Sequence, residues 1–416
     1  MPTLIACRDC GAIQHLPAVP LRGRLECWRC GRVLESVSGR SLDAALACAL
    51  ATLLLLIPAN VMTLMTVHKD GISVSTHLAA GLATSWRQGW PLLTIVLGLQ
   101  GVILPFLRFG LLSVTLGALR LGWRGRWLGP AFRWSERLDI WAMADVVLIG
   151  AGIGYGRVAS QIPTRIDIGG WCLVGAALMT MVTRACLERR AVWRMVQPAS
   201  KRAPRGALAC TSCDLVLPPD AEGQRCPRCA ARVYRRRPNS MVQSAALVTA
   251  CWALMPIAYG FPMSEFWEAG TPHPHTIVNG VELLLEHGFW PFAVLIFTVS
   301  IVFPFTKLIG LSWFLLSVRC GWHRRLRFKT RLYRFIDEIG RWSNLDPFTV
   351  MIFAPIIQLG QLAHIDILGG SPAFLSTVVL ATIAARAFDP RLLWDTAAPA
   401  PMRVVESPAA VRPAQA

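Results

Sequence analysis

The chain has 416 residues, of which 54% are hydrophobic and only 16% charged, a balance that excludes an ordinary soluble domain and fits a multi-span membrane protein. Its formal net charge of +18 invites a nucleic-acid reading, but the distribution of those charges, taken up below, reports membrane topology instead.

The chain opens on Cys7 and Cys10, followed by Cys27 and Cys30, and a second quartet stands mid-chain at Cys210, Cys213, Cys226 and Cys229. A Cys-x-x-Cys turn presents two thiolates to one metal, and two such turns complete the tetrahedral sulfur shell that Zn²⁺ prefers. With all four positions filled there is no room for water or substrate, so the expected cofactor is Zn²⁺ at two structural sites. Metal binding then substitutes for the core that so few residues cannot build. The remaining cysteines, Cys48, Cys172, Cys186, Cys251 and Cys320, lie in or beside apolar segments and read as small buried hydrophobes.

Eight apolar spans follow from the hydropathy pattern, over residues 42–66, 90–119, 139–162, 168–187, 241–263, 289–318, 345–363 and 370–388, each near the length that crosses about 30 Å of hydrocarbon. Residues 1–40 contain no signal-peptide core, so the first span is expected to act as an uncleaved insertion signal. Between the first two spans of each half lies a semi-polar stretch, 67–88 and 264–288; in the second, Ile277, Val281, Leu284 and Leu285 predict a short amphipathic helix. Trp90 and Trp290, at the start of the following spans, sit where interfacial anchors belong.

With these spans, Lys and Arg fall as six before the first, five in 120–137, thirteen in 184–237, eight in 319–341 and four from 386 onward. Only Lys69, Arg87, Arg157 and Arg165 lie on the other side, while Arg108 and Lys307 fall inside spans. The positive-inside rule then predicts both termini and both ribbons in the cytoplasm. No nucleic-acid partner is expected.

The two halves repeat at an offset near 200 residues: Pro58 with Pro256, Gly89 with Gly288, Pro105 with Pro304, Trp141 and Asp145 with Trp342 and Asp346, and Trp193 with Trp394. The predicted fold class is an all-α polytopic membrane protein of two tandem modules, each a small cytoplasmic Cys₄ zinc ribbon followed by four transmembrane helices, eight in total. The expected organisation is ribbon 1 over 1–38, membrane module 1 over 39–190, a linker over 191–209, ribbon 2 over 210–237, module 2 over 238–395 and a disordered tail over 396–416. An even number of spans per half makes these parallel repeats, with a substrate path at their interface.

Intramembrane charge marks the candidate transport residues. Lys307 lies about eleven positions from the basic end of its span, roughly 16 Å along a helix, too deep for easy snorkelling and therefore in need of a partner. Asp346 is the expected carboxylate, with Ser300, Thr306 and Ser343 supplying hydroxyls; the first half offers Arg108 with Asp145 or Asp139. A static ion pair and a charge relay both remain open. Lysine can lose its proton when desolvated and arginine effectively cannot, so the second half is the better candidate for proton coupling.

Several motifs carry a family resemblance: Ile57-Pro58-Ala59-Asn60, the Gly288-Phe289-Trp290-Pro291 start of the sixth span, Pro304-Phe305-Thr306-Lys307-Leu308, Arg341-Trp342-Ser343-Asn344-Leu345-Asp346, and Phe388-Asp389-Pro390-Arg391-Leu392-Leu393-Trp394. With the tandem ribbon-plus-four-span layout, the chain resembles the paraquat-inducible protein A family over nearly its whole length. The first half departs from these motifs, with Arg108 for the lysine, Trp141-Ala142-Met143-Ala144-Asp145, and Glu188-Arg189-Arg190 in place of Asp-Pro-Arg. The resemblance implies an inner-membrane component of a Gram-negative lipid transport system that handles phospholipids and works with a periplasmic MCE-domain tunnel protein. No nucleotide-binding motif or nucleophile constellation is visible, so no enzyme activity is expected and a proton gradient becomes the energy source to consider. A membrane scaffold for the MCE partner and a membrane-tethered zinc or thiol stress sensor stay open as alternatives.

Overall fold

The computed structural model describes residues 3–16, 23–37, 41–69, 72–159, 163–198, 206–268, 271–286, 288, 290–340, 363–395 and 411–412. Six described helices are long and apolar enough to span a membrane: Leu42–Val61, Pro91–Arg120, Ile168–Cys186, Ser240–Gly260, Ala293–Arg319 and Gly370–Ala387. The expected third span is a shorter helix, Ala144–Ala159, and the expected seventh lies almost wholly outside the described residues.

Ribbon 1 consists of two hairpins, β1 (Thr3–Ala6) with β2 (Ile13–Leu16) and β3 (Gly23–Glu26) with β4 (Val33–Val37). Helix α1 (Leu42–Val61) then begins at Ser41, whose hydroxyl accepts from the Ala44 N–H and so satisfies one of the unpaired donors of the first turn. The semi-polar stretch after α1 is not only helical. It forms strands β5 (Met65–Lys69) and β6 (Ile72–Thr76) before α2 (Leu78–Arg87), and β7 (Thr164–Ile166) returns to complete a sheet of order β6-β5-β7. The all-α expectation is corrected to this extent: the helices carry small antiparallel sheets that pair segments about a hundred residues apart.

The second span is built from α3 (Pro91–Gly98), a π-helical turn over Leu99–Ile103 and α4 (Leu104–Arg120). The π turn stands beside Pro105, which has no N–H for the helical ladder, so the altered hydrogen-bond register accommodates the ring. Helices α5 (Leu128–Leu138), α6 (Ala144–Ala159), α7 (Ile168–Cys186) and α8 (Arg189–Val196) complete the half. All of helix α8 but its first two residues, and strand β8 (Leu208–Ala209), fall in the stretch expected to be linker.

The second half repeats the plan. After β8 and β9 (Val216–Leu217) of ribbon 2 come α9 (Ser240–Gly260), β10 (Ser264–Glu268), β11 (Thr271–His275), α10 (Ile277–Glu286) and α11 (Trp290–Phe297). A second π turn over Thr298–Val302 again adjoins a proline, Pro304, at the start of α12 (Phe303–Arg319). Then follow α13 (Leu326–Ile339), β12 (Ala363–Ile367), which pairs with β10, α14 (Gly370–Ala387) and α15 (Leu392–Asp395). In each half the first span packs along the last, α1 on α7 and α9 on α14. Gly169 and Gly370 permit that approach: a Cβ there would lie 2.6 Å from the carbonyl oxygen of Thr63 and of Phe261 respectively. Apolar side chains such as Leu54 and Val61 stay exposed along the spans, as lipid-facing positions should. Near the tail, Val411–Arg412 (β13) pairs with β3.

Each ribbon buries its cysteines mainly against the opposite module, with ion pairs such as Glu35–Arg194 and Arg236–Asp395 reaching its own. Ribbon 1 shares a buried cluster with module 2, in which Cys7, Cys10, Cys27 and Cys30 meet Leu311, Phe314, Ile336, Phe388 and Trp394. Ribbon 2 shares one with module 1, in which Cys210, Cys213, Cys226 and Cys229 meet Leu116, Phe132, Val192 and Trp193. A second tie joins the halves at the opposite end: the Trp90 indole donates to the Ile367 carbonyl at 2.8 Å, and the Ile367 N–H donates to the Gln88 side chain at 3.2 Å. Trp90 is thus an inter-module clasp, whereas Trp290 is 66% exposed.

Ribbon 2 rests directly on α5, where a Cβ on Gly129 would fall 1.8 Å from the Arg228 carbonyl oxygen. Gly129→Ala is therefore expected to cost about 1–3 kcal/mol by overpacking, read as a lowered Tm and faster tryptic cleavage within ribbon 2.

Candidate metal centres and buried charge sites

All four Cys-x-x-Cys turns share one construction. The first cysteine's N–H donates to the carbonyl five residues on, as Cys7 to Ala12 and Cys210 to Leu215, and its carbonyl accepts from the residue four positions on, as Gly11 to Cys7 and Asp214 to Cys210. That later residue is left-handed in every turn: Gly11 at φ 71°, Gly31 at 67°, Asp214 at 59° and Ala230 at 55°. Glycine adopts this conformation freely, while Ala230 holds it against its own Cβ.

The turns bring each quartet together. Cys7 and Cys30 Sγ lie 3.5 Å apart and Cys10 and Cys27 3.6 Å; Cys210 and Cys229 lie 3.5 Å apart and Cys213 and Cys226 3.6 Å. These distances far exceed a disulfide bond and approach the roughly 3.8 Å edge of a tetrahedron with metal–sulfur bonds of about 2.3 Å. Each quartet is buried, and its four Sγ atoms lie within 4.8 Å of one another, so either group can hold a metal ion. Of the other cysteines, Cys186 and Cys251 are buried and Cys48 and Cys172 half-buried, but Cys320 is exposed at the end of α12 and is not the core residue expected.

Ribbon 1 is gripped by α13. Arg334 donates to Asp9 Oδ2 at 2.6 Å, to the Cys30 carbonyl at 3.2 Å and to the Cys30 sulfur at 3.3 Å, while Arg327 donates to the Trp28 and Arg29 carbonyls. Burial would lower Arg334, but Asp9 and the nearby thiols hold it above the ordinary guanidinium value. The ribbons also meet: Arg8 donates to Asp214 at 2.6 Å and to the Ser212 carbonyl at 2.5 Å.

Inside the spans, the two halves carry different charge equipment. Lys307 is 2% exposed and donates to Thr382 Oγ1 at 2.9 Å, beside a small apolar cavity lined by Pro304, Leu308, Thr377, Val378 and Ala381. A Cβ on Gly340 would fall 2.6 Å from the ammonium nitrogen, so α13 closes this site at its carboxyl end. Ser300 is buried in the π turn, and its carbonyl accepts from the Tyr259 hydroxyl at 2.5 Å; Thr306 is half-buried. Neither Ser300 nor Thr306 hydrogen-bonds Lys307 among the described residues. Asp346 and Ser343 lie outside the described residues. Thr382 was not visible from the sequence because its partner is 75 positions away, although a hydroxyl on the inward face of the last span is a signal worth reading.

In the first half Arg108 pairs with Asp139 at 2.5 Å, not with Asp145. Asp145 instead takes Arg184 at 2.7 Å, and Arg184 also reaches Asp139 at 2.9 Å. Sequence reasoning counted Arg184 only as a basic flank. Its position in the last turn of α7 brings it opposite the loop before α6, and only the fold reveals that.

Two segments, residues 42–197 and 241–398, each match the family model described as Paraquat-inducible protein A. The chain belongs to the paraquat-inducible protein A family. Both modules therefore carry the family's unit, and the motifs through which the sequence resembles this family lie within the matched segments. Among relatives, Intermembrane transport protein PqiA of Escherichia coli is 26% identical over 94% of this chain and 95% of its own length. Lipophilic envelope-spanning tunnel protein A of Escherichia coli is 28% identical over 94% of this chain and 90% of its own length. The Probable intermembrane transport protein of Haemophilus influenzae is 22% identical over 94% and 95%. No solved structure matches the chain.

Arg184→Ala leaves Asp145 without its cation and Asp139 with Arg108 alone, and is expected to destabilise the protein by about 3 kcal/mol. Arg120→Ala, which breaks an exposed pair with Asp43, is expected to cost no more than about 1 kcal/mol; thermal unfolding in detergent compares the two. Ala230→Gly relieves a left-handed alanine and should raise stability by about 0.5–1 kcal/mol, measured as chelator resistance of ribbon 2.

Proposed function

We propose that the protein is an inner-membrane component of an MCE-type system that moves lipids between the two membranes of a Gram-negative envelope. The observation that carries this reading is the match of both modules to one family whose relatives, aligned over 94% of this chain, are named for intermembrane transport or as an envelope-spanning tunnel protein. Within it the ribbons face the cytoplasm, each quartet holds a structural Zn²⁺, and a periplasmic MCE-domain protein receives the lipid. A zinc held by four thiolates supplies no open coordination position, so its role is to fix each ribbon against the module it grips.

The proposed transport residues are those of the second half, Lys307 with Asp346, Ser300, Thr306 and Ser343, to which the fold adds Thr382. Arg108, Asp139, Asp145 and Arg184 form an ion-paired network of two cations and two carboxylates whose guanidinium groups hold their protons, so it serves as a fixed strut. Lys307 meets a neutral hydroxyl and a small cavity instead, an arrangement that leaves an ammonium free to exchange its proton with a carboxylate brought to it during a transport cycle.

The decisive test is Lys307→Met together with Asp346→Asn, which removes both charges at similar side-chain size. The double variant is expected to insert, to carry two zinc ions per chain and to capture its MCE partner, yet to leave envelope integrity uncomplemented in a strain lacking the gene and its homologues. Complementation at the wild-type level would establish a scaffold role. Cysteine labelling from the periplasm is expected to reach a probe at position 270 and to miss probes at 200 and 325; the opposite pattern would invert the topology. Zinc analysis should show loss of about one ion per chain in Cys7→Ser and in Cys210→Ser.

A further inference from the structure

A cavity of about 220 Å³ opens where the two ribbons meet the start of α8, lined by Arg8, Arg32, Glu35, Arg189, Arg190 and Trp193, with Glu188 and Asp214 at its wall. Its ionic lining is almost fully committed. Arg8 is taken by Asp214, Arg32 by Asp9, Arg189 by Glu136, and Glu35 by Arg194 from outside the cavity; Glu188 is engaged as well. Arg190 is the exception: it has no hydrogen bond or ion pair among the described residues, and its Nη1 is buried without an acceptor. The indole N–H of Trp193, a side chain only 2% exposed, also lacks an acceptor.

The repeat supplies an internal control. Arg190 and Glu188 stand at the positions of Arg391 and Asp389 in the second half, 201 residues on. There Asp389 accepts from the Arg391 backbone N–H at 3.1 Å, and the Arg391 side chain donates to the Arg8 carbonyl of ribbon 1 at 3.1 Å, so the motif is spent on docking a ribbon. In the first half the equivalent guanidinium is released from that duty and faces a cavity. Burial pushes Arg190 down to about 10, with Asp214 and Glu35 opposing the shift, so it remains cationic near neutral pH. The first turn of α8 adds backbone N–H groups and the positive end of the helix dipole on the same wall.

We infer that this cavity is a binding site for a phosphate-type anion, seated on Arg190 and the first turn of α8 between the two ribbons. A planar guanidinium with uncommitted donors beside a helix N-terminus is suited to phosphate oxygens, which accept two hydrogen bonds in a fork. The volume is below the usual range for drug-sized ligands and admits a phosphate or a headgroup, not an acyl chain. Leu187, which lines the cavity, directly follows the last residue of span helix α7, so the site lies at the depth where a lipid headgroup or a free phosphate can reach it. An anion held there contacts elements of both ribbons and of module 1.

The test uses the full chain in nanodiscs. Inorganic phosphate is titrated calorimetrically in discs of phosphatidylcholine alone, and phosphatidylglycerol retention is measured by native mass spectrometry from mixed lipid. Arg190→Met is expected to weaken whichever probe binds by about tenfold or more, with zinc content unchanged, and Arg190→Lys to fall between the two. Arg124→Met removes an exposed charge of the same sign and is expected to leave binding as in the wild type. Phosphate binding without lipid retention identifies a soluble ligand, and retention without phosphate binding identifies a headgroup; either supports the site. Wild-type protein that binds neither probe, or Arg190 variants that bind like Arg124→Met, would overturn it.

Discussion

The structure depends on ribbons too small to stand alone being held by the module that is not their own. Each quartet closes a pair of tight turns, but the apolar surface around the sulfurs is completed by helices of the opposite half: Phe314, Phe388 and Trp394 for ribbon 1, Phe132 and Trp193 for ribbon 2. Burying that surface is what a domain of such size cannot do by itself. Because the docking is crossed, loosening one ribbon also loosens the bond between halves. Arg334, reaching Asp9 and the Cys30 sulfur together, couples the metal site directly to α13, whose end closes over Lys307.

The same backbone plan carries different chemistry in its two copies. Both keep the π turn beside a proline, the hairpin after the first span and a cation three positions after that proline. In the first copy the cation is an arginine paired with Asp139, a carboxylate that a second arginine shares. In the second it is a lysine against a threonine hydroxyl. Charges in hydrocarbon must be satisfied within the protein, and these are two solutions to one constraint, one rigid and one adjustable. Duplication followed by loss of equivalence also explains Arg190, a docking residue left without the docking contact its counterpart makes.

Much of this was legible beforehand. The cysteine spacing specified both quartets because two turns of fixed geometry are enough to place four sulfurs. The offset repeat and the span lengths depend only on local composition, and the span helices they predict begin and end close to the expected positions for residues 90–119, 168–187 and 370–388, whereas the first, expected over 42–66, ends at Val61. The strands were missed because β5 and β7, or β10 and β12, are individually short and polar and become strands only when distant segments pair. Asp139 rather than Asp145 meets Arg108 because the end of α5 carries Asp139 to it while the more deeply buried Asp145 is taken by Arg184, and no periodicity encodes that choice.

By itself, then, the sequence determined the metal-binding quartets, the apolar spans, the duplication and the family, all of which follow from residue type and spacing along the chain. Tertiary structure alone decided which module holds which ribbon, that Trp90 clasps the Ile367 carbonyl, that Thr382 rather than a neighbouring hydroxyl meets Lys307, and that Arg190 is left facing a cavity. The physical reason is the same in each case. Partner choice among buried polar groups is set by which distant segments approach closely enough to exclude water, and that distance is a property of the packed chain.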